Sequence, residues 1–179
     1  MELNVGQKVA YPGQGVCEVE KIEMRIVGGC TTECLLLRVI GDSSHILVPV
    51  ENTEAVGLRE VISISQCRRL INRLADDFEE ISGDWKTRSK QFTEKLQSGD
   101  VFEAADVLKK LTFLSHGKKL SFREQTLLEK AKHLLVSEIS SANEEKSDGI
   151  ENRICQLVES ACTKHEQTHP PMAAMASAH

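Results

Sequence analysis

Gly15-Val16-Cys17-Glu18-Val19-Glu20-Lys21-Ile22-Glu23-Met24-Arg25-Ile26-Val27 is the stretch that decides the first half of the chain. It is rich in β-branched and apolar residues and is followed by Gly28-Gly29, so it reads as a strand. Glu18 and Glu20 alternate with Cys17 and Val19, but Lys21 breaks the period of two, which predicts a bulge or a strong bend. Working outward, Lys8–Pro12 on one side and Thr32–Ile40 and Ser44–Val50 on the other have the same character. Pro12-Gly13-Gln14-Gly15, Gly28-Gly29 and Gly41-Asp42-Ser43-Ser44 are turn formers between them. Four or five short, strongly curved strands over residues 3–58 predict a small SH3-like or Tudor-like β-barrel, assigned to residues 1–60. A module of that size has little room for a catalytic pocket and suits binding to another chain.

After Gly57 the period changes. Ile62, Cys67, Leu70, Ile71 and Leu74 approach helical spacing, in a helix that either neighbour could claim. Asp76-Asp77-Phe78-Glu79-Glu80 and Ser82-Gly83 read as its end and a loop. Asp84 then caps a helix ending near Ser98-Gly99. Asp100 with Glu103 makes a capping-box-like pair for the next, and a break follows at Gly117. Ser121 with Glu124 starts a further helix, and Asp148 with Glu151 a last one. The fold class is α+β in two domains: the β-barrel, then a compact all-α domain over residues 61–164. The tail 165–179 is expected to be disordered.

The chain has 179 residues, 40% of them apolar and 27% charged. It contains no run of about 18 apolar residues of the kind that crosses a membrane. Its first residues lack the basic and apolar regions of a signal peptide, and a cytoplasmic location is expected. The six cysteines form no C-x-x-C pair and are expected to be reduced thiols. His165 and His169 lie four apart without a second ligand pair, so neither zinc nor any other metal or cofactor is expected. No phosphate-binding loop, nucleophile elbow or zincin motif occurs, and an enzyme is not expected.

The net charge of −5 argues against general affinity for nucleic acid, but the charge is unevenly placed. Residues 85–132 hold 11 basic and 6 acidic side chains, whereas residues 1–60 hold 5 and 9. At the head of this basic region stands Trp85, the single tryptophan, in Gly83-Asp84-Trp85-Lys86-Thr87-Arg88-Ser89-Lys90. A large aromatic in a small domain is ordinarily buried. Here the positions three and four residues on are Arg88 and Ser89, which offer no apolar partner, and the spacing favours exposure.

Three stretches resemble the CarD/CdnL family of bacterial transcription regulators. They are Val5–Val16 leading into Val19–Glu23; Val48-Pro49-Val50-Glu51-Asn52 followed by Val56-Gly57-Leu58-Arg59; and Trp85 with Arg88, Lys90, Lys95–Asp100 and Leu120–Glu124. The first two are shared with the polymerase-interacting module of the transcription-repair coupling factor, whose P-loop motifs this chain lacks. The resemblance covers residues 1 to about 140. It implies a Tudor-like domain docking on the β subunit of RNA polymerase and a helical domain at the upstream edge of the transcription bubble. Trp85 then matches a tryptophan that wedges into the minor groove, independent of sequence, and stabilises the open promoter complex. Arg88 and Lys90 match its basic neighbours, with Lys86 beside them. Arg25 matches a polymerase-contacting arginine. Where some members carry a second basic contact this chain has Leu47, between Ile46 and Val48 and two residues before Pro49, so docking would lean on Arg25, strand-edge pairing and apolar contact. A monomer is expected. A protein–protein adaptor using Trp85 as a hot spot stands as the alternative.

Overall fold

A computed structural model describes residues 2–144 and 147–170. Five strands come first: β1 (Lys8–Tyr11), β2 (Gly15–Val27), β3 (Cys30–Val39), β4 (His45–Pro49) and β5 (Arg59–Glu60). They form one antiparallel sheet in the order β4-β3-β2-β1-β5. The expected irregularity in β2 is present as a register shift between Val19 and Lys21. Cross-strand neighbours fill the core: Val9 faces Cys17, Cys17 faces Val39, Val19 faces Leu37, and Leu35 faces Val48, all buried.

Five helices follow: α1 (Ile64–Ala75), α2 (Trp85–Gln97), α3 (Val101–Gly117), α4 (Phe122–Asn143) and α5 (Ser147–Thr168). The α+β division is as expected, and α1 belongs with the helices, since Cys67, Leu70 and Leu74 join their core. Buried stripes such as Ala131–Leu135–Ile139 on α4 and Ile150–Ile154–Val158 on α5 recur at helical spacing and close that core. The caps follow the sequence with two adjustments. Ser63 and Ser121 make complete capping boxes with Gln66 and Glu124. Asp100 instead caps the Phe102 N–H, and Glu103 is drawn to Lys95. The last helix already includes Ser147, ahead of the expected opening at Asp148.

Two expectations need correction. Helix α5 continues to Thr168, so residues 165–168 are not tail; His165 is buried against Phe78 and Phe113, and that packing extends the helix. The rest of the expected tail beyond residue 170 lies outside the described residues. Lys109, one of the 11 basic side chains of residues 85–132 that a helix surface would ordinarily leave in solvent, is instead fully buried. Its ammonium donates to the carbonyls of Arg73 (2.7 Å), in the last turn of α1, and Asp76 (3.2 Å), its C-cap, and lies 3.3 Å from Asp106. Burial lowers its pKa against the attraction of Asp106.

The sheet docks on α4 through the Pro12–Gly15 turn. Gly15 has φ of +91° and stands so close to α4 that a Cβ would come within 2.7 Å of Ser137 Oγ. The Val16 N–H reaches the same hydroxyl at 3.4 Å, and His133 Nε2 lies 3.2 Å from the Gln14 carbonyl. Beside this turn, Arg59 of β5 donates to both carboxylate oxygens of Glu138 on α4 and to the Gly99 carbonyl between α2 and α3. Glu138 is buried and also accepts the Ile62 N–H at 3.1 Å. Removing the cation would leave that buried carboxylate unpaired. Arg59→Met is therefore expected to cost about 3 kcal/mol of stability, read as a lowered urea midpoint; an unchanged midpoint would mean that the bridge does not hold the domains.

Candidate functional site

Helix α2 begins where Asp84 accepts the Thr87 N–H at 2.9 Å and the Thr87 hydroxyl. The Thr87 hydroxyl and N–H hold the Asp84 carboxyl below its ordinary value. Trp85 is the first residue of the helix and is 60% exposed. It lies three and four residues before Arg88 and Ser89, which open the buried stripe continued by Phe92 and Leu96. The indole thus stands on the core-facing line of the helix but overhangs the end of the core. Lys86 and Lys90 are exposed beside it, with the Lys86 ammonium 6.0 Å from the ring centroid. A groove of about 460 Å³ runs along this edge, lined by Trp85, Lys86, Ser89, Lys90, Thr93, Glu94 and Arg123.

Arg88 departs from the expectation that it faces DNA phosphates. Its guanidinium is buried, donating to the Ser82 carbonyl at 2.8 Å and to Glu124 Oε1 at 2.8 Å. The cause is its place on the inner stripe of α2, where a charge must be paired and hydrogen-bonded. Arg88 positions Trp85, because it pins the first turn of α2 and the preceding loop to the first turn of α4. Glu124 is the residue sequence reasoning missed. Its capping box with Ser121 was legible, but the same carboxylate also takes Arg88, 36 residues away, and lies 3.6 Å from the Lys118 ammonium. Burial pushes its carboxyl up, and the Ser121 N–H, Arg88, the Ser121 hydroxyl and Lys118 more than offset this, leaving it at about 2. Two further side chains stand at the head of α4: Arg123, on the groove of Trp85, and Phe122, 86% exposed.

The second group of expected site residues lies on the sheet. Register and alternation place Arg25, Leu47 and Pro49 on one face: Lys21 faces Leu36 and Leu36 faces Leu47, while Glu23 faces Cys34 and Cys34 faces Pro49. Arg25 is exposed and bound by Glu23 of its own strand at 2.6 Å. Ile46 does not join them. It faces Leu37 and packs against the sheet core, so its contribution is to strand position. Among the described residues, strand β4 pairs with β3 alone and its other edge has no strand partner. The far end of β2, where it pairs with β3, exposes Met24 and Ile26, apolar residues that sequence reasoning left unassigned. Period-two patterning could not reveal them, because it does not say where along a strand the core ends.

Comparison with known proteins places these features in context. The family model described as CarD-like/TRCF RID domain matches residues 3–62, and that of the CarD C-terminal domain matches residues 69–155. YdeB of Bacillus subtilis (strain 168), named for a transcription-factor role, is 23% identical over 137 residues, covering 76% of this chain and 90% of that protein. The solution NMR structure of the 72-residue N-terminal domain of Myxococcus xanthus CarD is 36% identical over 33% of this chain and 79% of its own, with a TM-score of 0.30. CdnLNt from the same organism is 40% identical over 35% and 89%, also with a TM-score of 0.30.

The Glu124 network gives a pH signature. A carboxyl lowered from an unfolded value near 4.5 to about 2 stabilises the fold fully above the unfolded value and loses that contribution as pH falls through the folded one. It amounts to about 3 kcal/mol. Glu124→Gln is expected to lose that stability at neutral pH and to show a flatter decline between about pH 5 and pH 2. Urea midpoints across that range check it; a variant with the same pH slope as the parent would refute the role.

Proposed function

We propose that this chain, which belongs to the CarD/CdnL family of transcription regulators, docks on RNA polymerase through its β domain and holds promoter DNA open with Trp85. The observation that carries this proposal is an exposed indole at the start of a helix whose first turn is fixed by a buried ion pair. A ring that is both presented and rigid can stack without first being ordered. At the upstream edge of a transcription bubble the bases are already partly unstacked. An indole inserted from the minor groove stabilises that state by about 1–3 kcal/mol, independent of sequence. Lys86 and Lys90 supply phosphate contacts, which position the ring and carry no sequence information.

The acidic β domain would be repelled by DNA alone, so recruitment must come from a protein. The open edge of β4 offers backbone groups for strand addition by the β subunit of the polymerase, and Arg25, Leu47 and Pro49 on the adjoining face supply a charge and apolar contact. Docking raises the local concentration of the helical domain at the promoter, which makes a weak DNA contact sufficient. A monomer in the cytoplasm serves this mechanism.

Trp85 and the four cationic positions separate cleanly by experiment. Trp85→Ala is expected to keep the fold and polymerase binding but to shorten open-complex lifetime roughly tenfold. Lys86→Ala and Lys90→Ala are each expected to reduce the salt slope of DNA association by about 1. Arg88→Ala is expected to lower thermal stability, since it strands Glu124. Arg25→Glu should lose capture by the polymerase β subunit. An unchanged open-complex lifetime for Trp85→Ala would end the wedge assignment, and capture of a different protein through Trp85 would favour an adaptor.

A further inference from the structure

We propose that Asp77, His165 and His169 form a binding site for one transition-metal dication of the zinc class. The three come from two distant parts of the helical domain, the connection after α1 and the end of α5. Asp77 Oδ1 lies 2.7 Å from His165 Nδ1. The two imidazole rings, four residues apart, have centroids 4.5 Å apart. One donor atom from each of the three residues lies within 4.8 Å of the others. Two imidazoles and a carboxylate are a donor set that suits zinc, with water as fourth ligand.

The site is half built. His165 is buried and held on three sides: stacked on Phe78 at 4.0 Å, edge-on to Phe113 at 4.9 Å, and bonded to Asp77. His169 is exposed just past the end of α5, with its N–H on the His165 carbonyl at 2.8 Å, so its ring is free to close on an ion. An ion taking the place of the proton between Asp77 and His165 needs bonds of about 2.0–2.1 Å to each. Those bonds widen the 2.7 Å separation by about half an ångström. The neighbouring cations do not oppose it as free charges: Arg73 is held by Asp106, Lys110 lies 3.8 Å from Glu79, and Lys164 lies 3.8 Å from Asp76.

An ion there would join the loop that leads to Asp84 and Trp85 to the end of the last helix. Phe78, Phe113 and Asp77 already hold His165 in place, so an ion would add a restraint to a packed helix end. The test is titration of the chelator-treated full chain with Zn²⁺ by calorimetry and thermal melting. One equivalent should bind, and zinc at a hundred times its Kd should raise the melting temperature by about 5–10 °C. His169→Ala, at an exposed position, should fold normally and bind at least about tenfold more weakly. A Cys30→Ser/Cys155→Ser variant should bind as the parent does, and Mg²⁺ should not compete, since it demands octahedral oxygen ligands. Absence of saturable binding up to about 100 times the protein concentration would overturn the site. So would unchanged affinity in His169→Ala, or loss of affinity in the cysteine variant.

Discussion

Everything this molecule can do as one body depends on Arg59. Its guanidinium spans a junction that apolar contact alone would leave loose, giving two bonds to Glu138 on α4 and two to the Gly99 carbonyl at the α2–α3 corner. Glu138 in turn holds the Ile62 N–H, two residues before α1 begins. One cation therefore fixes the end of the sheet, the entry to α1, the middle of α4 and the exit of α2. Ion pairs of this kind contribute little net energy compared with a well-packed apolar patch, but they demand one geometry. An orientation between domains is what the bridge supplies, and the Gly15 turn lying against Ser137 adds a second point that prevents rotation about the first.

The basic middle of the chain changes meaning once its partners are seen. By composition it is a positive surface, yet Arg88 and Lys109 are internal struts, and Lys95, Lys118 and Lys132 are each close to a carboxylate. The positive charge that faces outward beside Trp85 is a short line through Lys86, Lys90 and Arg123. A small charge set at one edge, in a chain whose overall charge is negative, fits the proposed role in which DNA contact follows recruitment.

Much of this was legible in the sequence because it is local. Strand β2, its bulge, and the starts of α1, α2 and α4 follow from alternation, helical spacing and capping residues that act within four positions. Trp85 was legible for the same reason, since its neighbours one turn on are polar. What escaped the sequence is long-range. That Arg88 is spoken for depends on Glu124, and that Lys109 is buried depends on where α1 happens to end. Ile46 and Leu47 are adjacent in sequence and differ only in which face of the sheet each takes, a matter of register set by Leu37 and Leu36. The end of α5 was misplaced because two aromatic rings from other elements hold His165, and no pattern inside the last twenty residues announces them.

The open edge of β4 has a consequence for how the protein must live before it finds a partner. Unpaired strand groups next to exposed Leu47 are as good a template for a second copy as for another protein. Self-pairing and docking would then draw on the same surface, and crowding would favour the wrong one. Two features keep that competition in check. The strand is five residues long, which limits the number of rungs any intruder can form, and it ends in Pro49, which has no N–H to offer. Any chain that adds to so short an edge, a partner or a second copy, must therefore bring side-chain contacts of its own.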